Sequence, residues 1–311
     1  MKMKRIFFAL SLALAAVLNV QAASNGTGEF RIGTYNLRNA NSSDSINGNR
    51  WTVRGKVIAG IVRFNQFDIF GTQEGFRHQL NFIKANLPGF EYIGVGRDDG
   101  RQSGEHSAIF YNTNVFDVLD SGNFWLSETP DIPSKGWDAA NIRICTWGRF
   151  LHKASGREFL YFNLHADHVG VKARSESVKL IIRKIQEFNA DCPVFLSGDF
   201  NINQENAGYK EIVDTDIFSD SRDLAEFIHA PTGTFNGWET AGYTNARIDH
   251  IFVSQGIKVH KYGILTDTYR TADTQDVNPN SPDSFNIHVA SGTIRVPSDH
   301  YPVLLTVELT D

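Results

Sequence analysis

The chain is poor in cysteine: Cys145 and Cys192 are the only two among 311 residues. So few thiols exclude a fold built on disulfides and a four-thiolate zinc site. Positive charge is not in excess either. Thirty Lys and Arg stand against 35 Asp and Glu, for a formal net charge of -5. That excludes a surface that grips nucleic acid by charge alone, although a local basic groove can sit on an acidic protein. Past Val20 there is no long apolar run, which excludes a multi-pass membrane protein. There is no internal repeat and no low-complexity linker. The chain also lacks a Gly-x-Ser-x-Gly elbow, a Gly-x-x-x-x-Gly-Lys loop, His-Glu-x-x-His and Cys-x-x-Cys. Serine-hydrolase, P-loop and zinc-hydrolase chemistry therefore have no basis in it. What is there is ordinary: 41% hydrophobic and 21% charged residues, a chain that folds by burying apolar surface.

The first segment reads as an address. Lys2, Lys4 and Arg5 precede an almost wholly apolar stretch, Ile6 to Val20, and small residues follow at Ala22 and Ala23. This is the pattern of a secretory signal peptide cleaved near Ala22, and its apolar run is short for a membrane span. We expect residues 1–22 to be removed. Residues 23–311 should then form a single domain, secreted or periplasmic, monomeric, and more acidic than the full chain. Cys145 and Cys192 can oxidise in that compartment, but the sequence does not say whether they meet.

The remainder alternates strand and helix. Phe30–Leu37 has a strand's alternation, and Phe67–Thr72 is a short apolar run typical of a buried strand. Trp51–Phe64 and Val171–Phe188 carry apolar stripes at helical spacing, and Phe76–Leu87 reads as a helix stopped by Pro88-Gly89. Further strands are expected at Glu91–Val95, Ser107–Tyr111, Arg143–Leu151, Phe159–Leu164, Val194–Leu196, Arg247–Val253 and Pro302–Leu309. Helix-linked strands followed by hairpin-linked ones predict a mixed sheet system. Thr268–Pro297, polar and holding Asn278-Pro279-Asn280-Ser281-Pro282, reads as a long surface loop.

Polar residues recur where the strands end: Tyr35-Asn36, Gln73-Glu74, Asn163-Leu164-His165, Gly198-Asp199-Phe200-Asn201, Arg247-Ile248-Asp249-His250 and Ser298-Asp299-His300. Singly, each reads as a cap, a turn or a packed histidine. Together they point to groups presented by a sheet scaffold. Asn, Glu and Asp are hard oxygen ligands suited to Mg²⁺, Mn²⁺ or Ca²⁺. A hard metal, two histidines and a carboxylate that aligns water are what phosphoester hydrolysis needs.

The order and separation of these motifs resemble the endonuclease/exonuclease/phosphatase superfamily, from about Phe30 to Leu309. Gly-Asp-Phe-Asn and Ser-Asp-His-Tyr-Pro are its most specific part. The resemblance implies a four-layer α/β/β/α sandwich, two packed mixed sheets flanked by helices, with the site at one edge. It implies that Glu74 is the main metal ligand, with Asn36 close to the metal and Asp299 in the metal-side network. Asp199 would orient or deprotonate the attacking water, and Asn201 would hold that water or the phosphate. His165 and His300 would meet phosphate oxygens or move protons. Asp249 would bond His300 and keep it charged. Glu105 would support His165, and Arg77 either reaches a phosphate or is a helix-surface charge.

The resemblance has departures. Thr244-Asn245-Ala246-Arg247-Ile248-Asp249-His250 lacks the proline-tryptophan-cysteine signature of the inositol phosphatases. His165 stands where the apurinic endonucleases have tyrosine, which points to the deoxyribonuclease, deadenylase and sphingomyelinase side. Gly104–Tyr111, Phe124–Ser127 and Gly136-Trp137-Asp138 are similar to secreted bacterial metal-dependent hydrolases. Expected substrates are a small phosphorylated sugar or inositol, a phospholipid head group or a nucleotide, by phosphomonoester or phosphodiester hydrolysis. The alternatives are a non-specific secreted nuclease and an inactive binding module on the same fold. No stable nucleic-acid complex is expected. Trp51, Trp125 and Trp147 read as core, whereas Trp137 and Trp238, in Gly-containing turns, are candidates for a substrate rim. Arg97-Asp98-Asp99-Gly100-Arg101 reads as an exposed turn.

Overall fold

The computed structural model describes residues 28–188, 191–272 and 292–310. The expected signal peptide, 1–22, lies outside the described residues, as does the middle of the expected Thr268–Pro297 loop. The elements run β1 (Glu29–Asn36), α1 (Ser42–Ile46), α2 (Trp51–Phe64), β2 (Ile69–Gln73), α3 (Arg77–Asn86), β3 (Phe90–Ile93), β4 (Ile109–Asn112) and β5 (Phe116–Trp125). There follow β6 (Ile144–His152), β7 (Arg157–His165), α4 (Val171–Glu187), β8 (Val194–Asp199), α5 (Ala207–Val213), β9 (Ser219–Asp220), α6 (Ser221–Leu224) and β10 (Phe227–His229). The chain then forms β11 (Asp249–Val253), β12 (Ile257–Ile264), β13 (Tyr269–Ala272), β14 (Gly292–Arg295) and β15 (Val303–Leu309).

Seven strands form one sheet, in the order β10-β12-β15-β1-β2-β4-β3, and six form another, β5-β6-β7-β8-β11-β9. Each is mixed. β1 runs parallel to β2 and antiparallel to β15, while β7 runs parallel to β8 and β8 antiparallel to β11. Phe30, Ile32 and Ile69 of the first sheet pack with Phe159, Phe195 and Ile251 of the second in a central apolar layer. Outside the first sheet, α2 and α3 bury Ile58, Val62, Leu80 and Ile83 against Tyr35, Phe70 and Phe110. Outside the second, α4 buries Val178, Ile181 and Ile185 against Phe162, Leu164 and Leu196. The result is an α/β/β/α sandwich. Strands covered on both faces explain why β2 and β8 read as continuous apolar runs.

A buried polar seam crosses the central layer. The Tyr161 hydroxyl donates to Gly33 O at 2.8 Å and accepts from the Gly71 N–H and the Ser197 hydroxyl, each at 2.8 Å. Asn163 Nδ2 donates to Thr72 O at 3.0 Å and Ala108 O at 3.1 Å, and its Oδ1 accepts from Gln73 Nε2 at 2.7 Å. Gly71 makes room for it, since a Cβ there would lie 2.2 Å from Asn163 Oδ1. Such bonds are strong in a low dielectric and costly to leave unmade, so they fix how the sheets slide on one another.

The sequence reading misses β5, whose Asp117, Asp120 and Gly122 interrupt its apolar pattern because it is an edge strand with a register shift between Val118 and Asp120. It also misses β12. The ends of the expected Thr268–Pro297 loop are paired as the antiparallel ribbon β13–β14. Cys145 is buried, Cys192 is half-buried, and both are free. Among the described residues no helix is long and apolar enough to cross a membrane.

Candidate active site

The parallel pairs β1–β2 and β7–β8 end at the same edge of the sandwich, and their last residues converge there. Asn36 closes β1, Glu74 follows β2, His165 closes β7 and Asp199 closes β8. Asp249 opens β11 and is the direct ladder partner of Asp199. Asp299 and His300 lie just before β15. All seven are buried.

Asn36 is the hub. Its Nδ2 donates to Glu74 Oε1 at 3.1 Å and to Asp199 Oδ2 at 3.0 Å, and His300 Nε2 lies 3.5 Å away. Glu74 adopts a left-handed backbone, φ +61°, and its Oε2 accepts the Asn39 N–H at 3.1 Å. Strain of this kind persists only where surrounding contacts hold it. Gly198 has φ +149°, and a Cβ there would lie 2.1 Å from Leu164 O, so glycine lets β8 run close to β7 just before Asp199. Asn201 (φ +51°) donates its backbone N–H to Asp199 Oδ1 at 2.9 Å and its Nδ2 to Ala166 O at 3.0 Å. It ties the two strand ends together.

The titrating groups divide by environment. Burial raises the pKa of Asp199 to about 7, with help from the Asp249 charge. Burial works against a charge on His300, but the Asp249 and Asp199 carboxylates outweigh it and raise that pKa to about 10. His300 Nδ1 lies 2.9 Å from Asp249 Oδ2, and its Nε2 lies 3.8 Å from Asp199 Oδ2. His165, by contrast, is held well below the usual range, first by burial and then by Arg143 and Arg97. Its Nε2 lies 3.5 Å from Asp199 Oδ2. The edge thus presents one imidazolium, one neutral imidazole and a carboxyl poised near neutrality.

Glu105 lies 4.0 Å from His165 Nδ1, but its hydrogen bonds go elsewhere, to Arg97 Nη1 at 2.5 Å and Asn39 Nδ2 at 3.2 Å. Arg77 is exposed at the start of α3. Trp137 is half-buried against the apolar layer shared with α4. Trp238 is nearer the site: its turn wraps Asp299, whose backbone oxygen accepts the N–H groups of Asn236 at 2.8 Å and Gly237 at 3.1 Å.

Four residues at this edge were not foreseen. Phe235, 45% exposed, sets its ring on that of His300 at 5.0 Å. Arg97 belongs to the expected exposed turn, yet its side chain folds inward on Glu105. Arg38 places Nη1 3.4 Å from Asp299 Oδ2, while Asp44 Oδ2 accepts its Nε–H at 2.8 Å. Arg54 is fully buried on α2 and donates to the carbonyls of Leu37, Arg38, Asn39 and Asn49, with Pro297 O at 3.5 Å. It clamps the loop after Asn36.

The residues fit a hard divalent cation. Glu74 and Asp299 are buried carboxylate oxygen donors, and the Asn36 amide lies against Glu74 with its Nδ2 on that carboxylate and its Oδ1 on the Arg38 N–H. Burial raises the Asp299 carboxyl; the His300 charge opposes this and the Glu74 charge adds to it. A cation would relieve that conflict. Asp199, Asp249 and His300 also offer ligand atoms within 4.8 Å of one another, but the Asp249–His300 bond already occupies two of them.

A sandwich whose strand ends present carboxylates, carboxamides and two unlike histidines defines a hydrolase of phosphoric esters. The chain belongs to the endonuclease/exonuclease/phosphatase family, whose model matches residues 33–300. It is 48% identical to the mannosyl-6-phosphatase of Bacteroides thetaiotaomicron VPI-5482, covering 89% of this chain and 99% of that one with a TM-score of 0.83. A family member from Bacteroides vulgatus is 34% identical over 90% of this chain and 99% of that one, with a TM-score of 0.76. An uncharacterized protein of Acanthamoeba polyphaga mimivirus is 29% identical over 50% of this chain, and the match spans 61% of that protein's length. Members of the family generally depend on a divalent metal, and the acidic and histidine cluster here is consistent with that.

Proposed function

We propose that the protein is a phosphatase that removes the phosphate of a phosphorylated sugar, of the 6-phosphomannosyl kind, by in-line attack of water. The convergence of Asn36, Asp199, Asp249 and His300 at 3.0 Å and 2.9 Å carries the chemistry. The 48% identity to a mannosyl-6-phosphatase over almost all of that chain supports the substrate class.

Asp199 receives a proton from the attacking water, a task suited to a carboxyl with a pKa of about 7. His300, kept cationic by Asp249, offsets charge growing on the phosphate oxygens. His165, neutral, donates from Nε2 toward Asp199 or a phosphate oxygen. Asn36 holds Asp199 and Glu74 in register. Glu74 and Asp299 would hold Mg²⁺, with Asn36 close beside it and Mn²⁺ or Ca²⁺ suited to the same carboxylates. When bound, the ion offsets phosphate charge and stabilises the leaving oxygen. We further place the enzyme outside the cytoplasm, secreted or periplasmic, on the pattern of residues 1–22.

The test is release of inorganic phosphate from mannose 6-phosphate with Mg²⁺, Mn²⁺, Ca²⁺ or EDTA, by wild type and His300→Ala. Metal-dependent release that His300→Ala abolishes supports the reading. Degradation of DNA or of phospholipid head groups, with sugar phosphates untouched, would overturn the substrate class. N-terminal sequencing of protein recovered outside the cells would test cleavage near Ala22.

A further inference from the structure

Among the described residues, the Asp299 side of the site carries a half-buried cation, Arg38. Arg38 sits in the left-handed region (φ +54°), its backbone N–H bound by Asn36 Oδ1 at 2.9 Å and its carbonyl by Arg54 Nη2 at 2.6 Å and Gln79 Nε2 at 3.1 Å. Backbone and catalytic hub are thus locked together. Asp44, buried in α1, holds the guanidinium by Nε at 2.8 Å and more loosely by Nη2 at 3.5 Å. Nη1 lies 3.4 Å from Asp299 Oδ2. Among the described residues this leaves one N–H on each terminal nitrogen without a partner, on a side chain 32% exposed. Guanidinium donors on a plane that Asp44 fixes suit the oxygens of a phosphate.

Counting phosphate oxygens gives that fork a task. A phosphodiester has two non-bridging oxygens and one negative charge. A phosphomonoester has three and, near neutral pH, close to two charges. A divalent cation and the His300 imidazolium account for two oxygens. A third oxygen needs a third positive partner, and Arg38 is pinned beside the Asp299 edge where one is required. We infer that Arg38 receives the third non-bridging oxygen of the substrate and so selects monoesters over diesters; this rests on the phosphatase reading above. Asp44 supplies the geometry. It binds the Nε edge of the guanidinium and fixes its plane, while Nη1 rests beside Asp299.

The test compares wild type, Arg38→Gln and Arg38→Lys on p-nitrophenyl phosphate and bis(p-nitrophenyl) phosphate, and measures inorganic phosphate binding calorimetrically with Mg²⁺ present. Arg38→Gln should lower kcat/KM for the monoester by roughly 100-fold and for the diester by a much smaller factor, as expected for loss of a charged hydrogen-bond pair. The monoester-to-diester ratio should then fall by at least about tenfold, and phosphate should bind about tenfold more weakly. Arg38→Lys, which keeps the charge and loses the fork, should recover part of both. Equal losses on the two esters, or unchanged phosphate affinity in a variant that melts like wild type, would overturn the inference. If the wild type hydrolyses neither aryl ester nor mannose 6-phosphate, the phosphatase reading fails, and the phosphate-binding arm still decides the role of Arg38.

Discussion

Asp199 and Asp249 stand directly opposite each other on the antiparallel β8–β11 ladder, two buried carboxylates in one cross-strand pair. Like charges so placed repel, and the sheet tolerates them because His300 faces both. One partner drives the proton chemistry of the other: Asp249 charges His300, and its own charge helps to raise Asp199.

Replacing Asp249 by Asn removes the main source of the raised His300 pKa. That pKa should fall from about 10 toward the ordinary histidine range. The alkaline limb of the rate profile should move down with it, with kcat reduced roughly 100-fold. A pH–rate series on Asp249→Asn checks this, and an unmoved alkaline limb would refute the assignment.

The wild-type profile should be bell-shaped. Activity rises as Asp199 loses its proton near pH 7 and falls as His300 loses its proton near pH 10. Stability follows the same groups. Both carry raised folded pKa values, so their stabilising effect is present at low pH. That of His300 is lost between its unfolded value and about 10, and that of Asp199 is lost as pH rises through about 7. Thermal melts across pH 5–10, on wild type and His300→Ala, would show whether the upper loss disappears with the imidazole.

Removing the metal with EDTA should abolish turnover while the fold persists, because the core layers and the polar seam involve no metal donor. Glu74→Gln should need far more metal for half-maximal rate, by roughly 10–100-fold, since it loses the ionised oxygen donor. Circular dichroism and metal titration of activity check the two halves separately.

Arg54→Ala strips the buried carbonyl of Leu37 of its donor and leaves those of Arg38 and Asn39 with only Gln79 Nε2 and a long contact to Asn41 Nδ2. We expect a loss of about 3 kcal/mol, a fall in Tm on the order of 5–10 °C, and reduced kcat from a loosened Asn36 loop. Calorimetry on the variant tests the first, and a variant as stable as wild type would show that the clamp is idle.

Much of the layer order was legible because strand exits are marked twice, by an apolar run and by the polar residue that follows it. That is why Asn36, Glu74, Asp199 and His300 stood out. The same signal did not say what each residue does. Gln73 and Asn163 share those motifs, yet they bridge the sheets beneath the site. Arg38 and Arg54 gave no sign because a lone arginine in a loop or on a helix reads as surface charge until the tertiary fold shows what encloses it. Tyr161 resembled any strand aromatic, although its hydroxyl joins three strands.

The Tyr161–Asn163 seam carries a consequence for how this enzyme comes alive. Asn36 closes a strand of one sheet and Glu74 follows its neighbour, whereas His165 and Asp199 close strands of the other. Neither sheet alone holds a working site, and the seam admits only one docked register. Turnover during refolding therefore counts finished sandwiches. Spectroscopic signals from either sheet should run ahead of it, and the last step to appear should be catalysis.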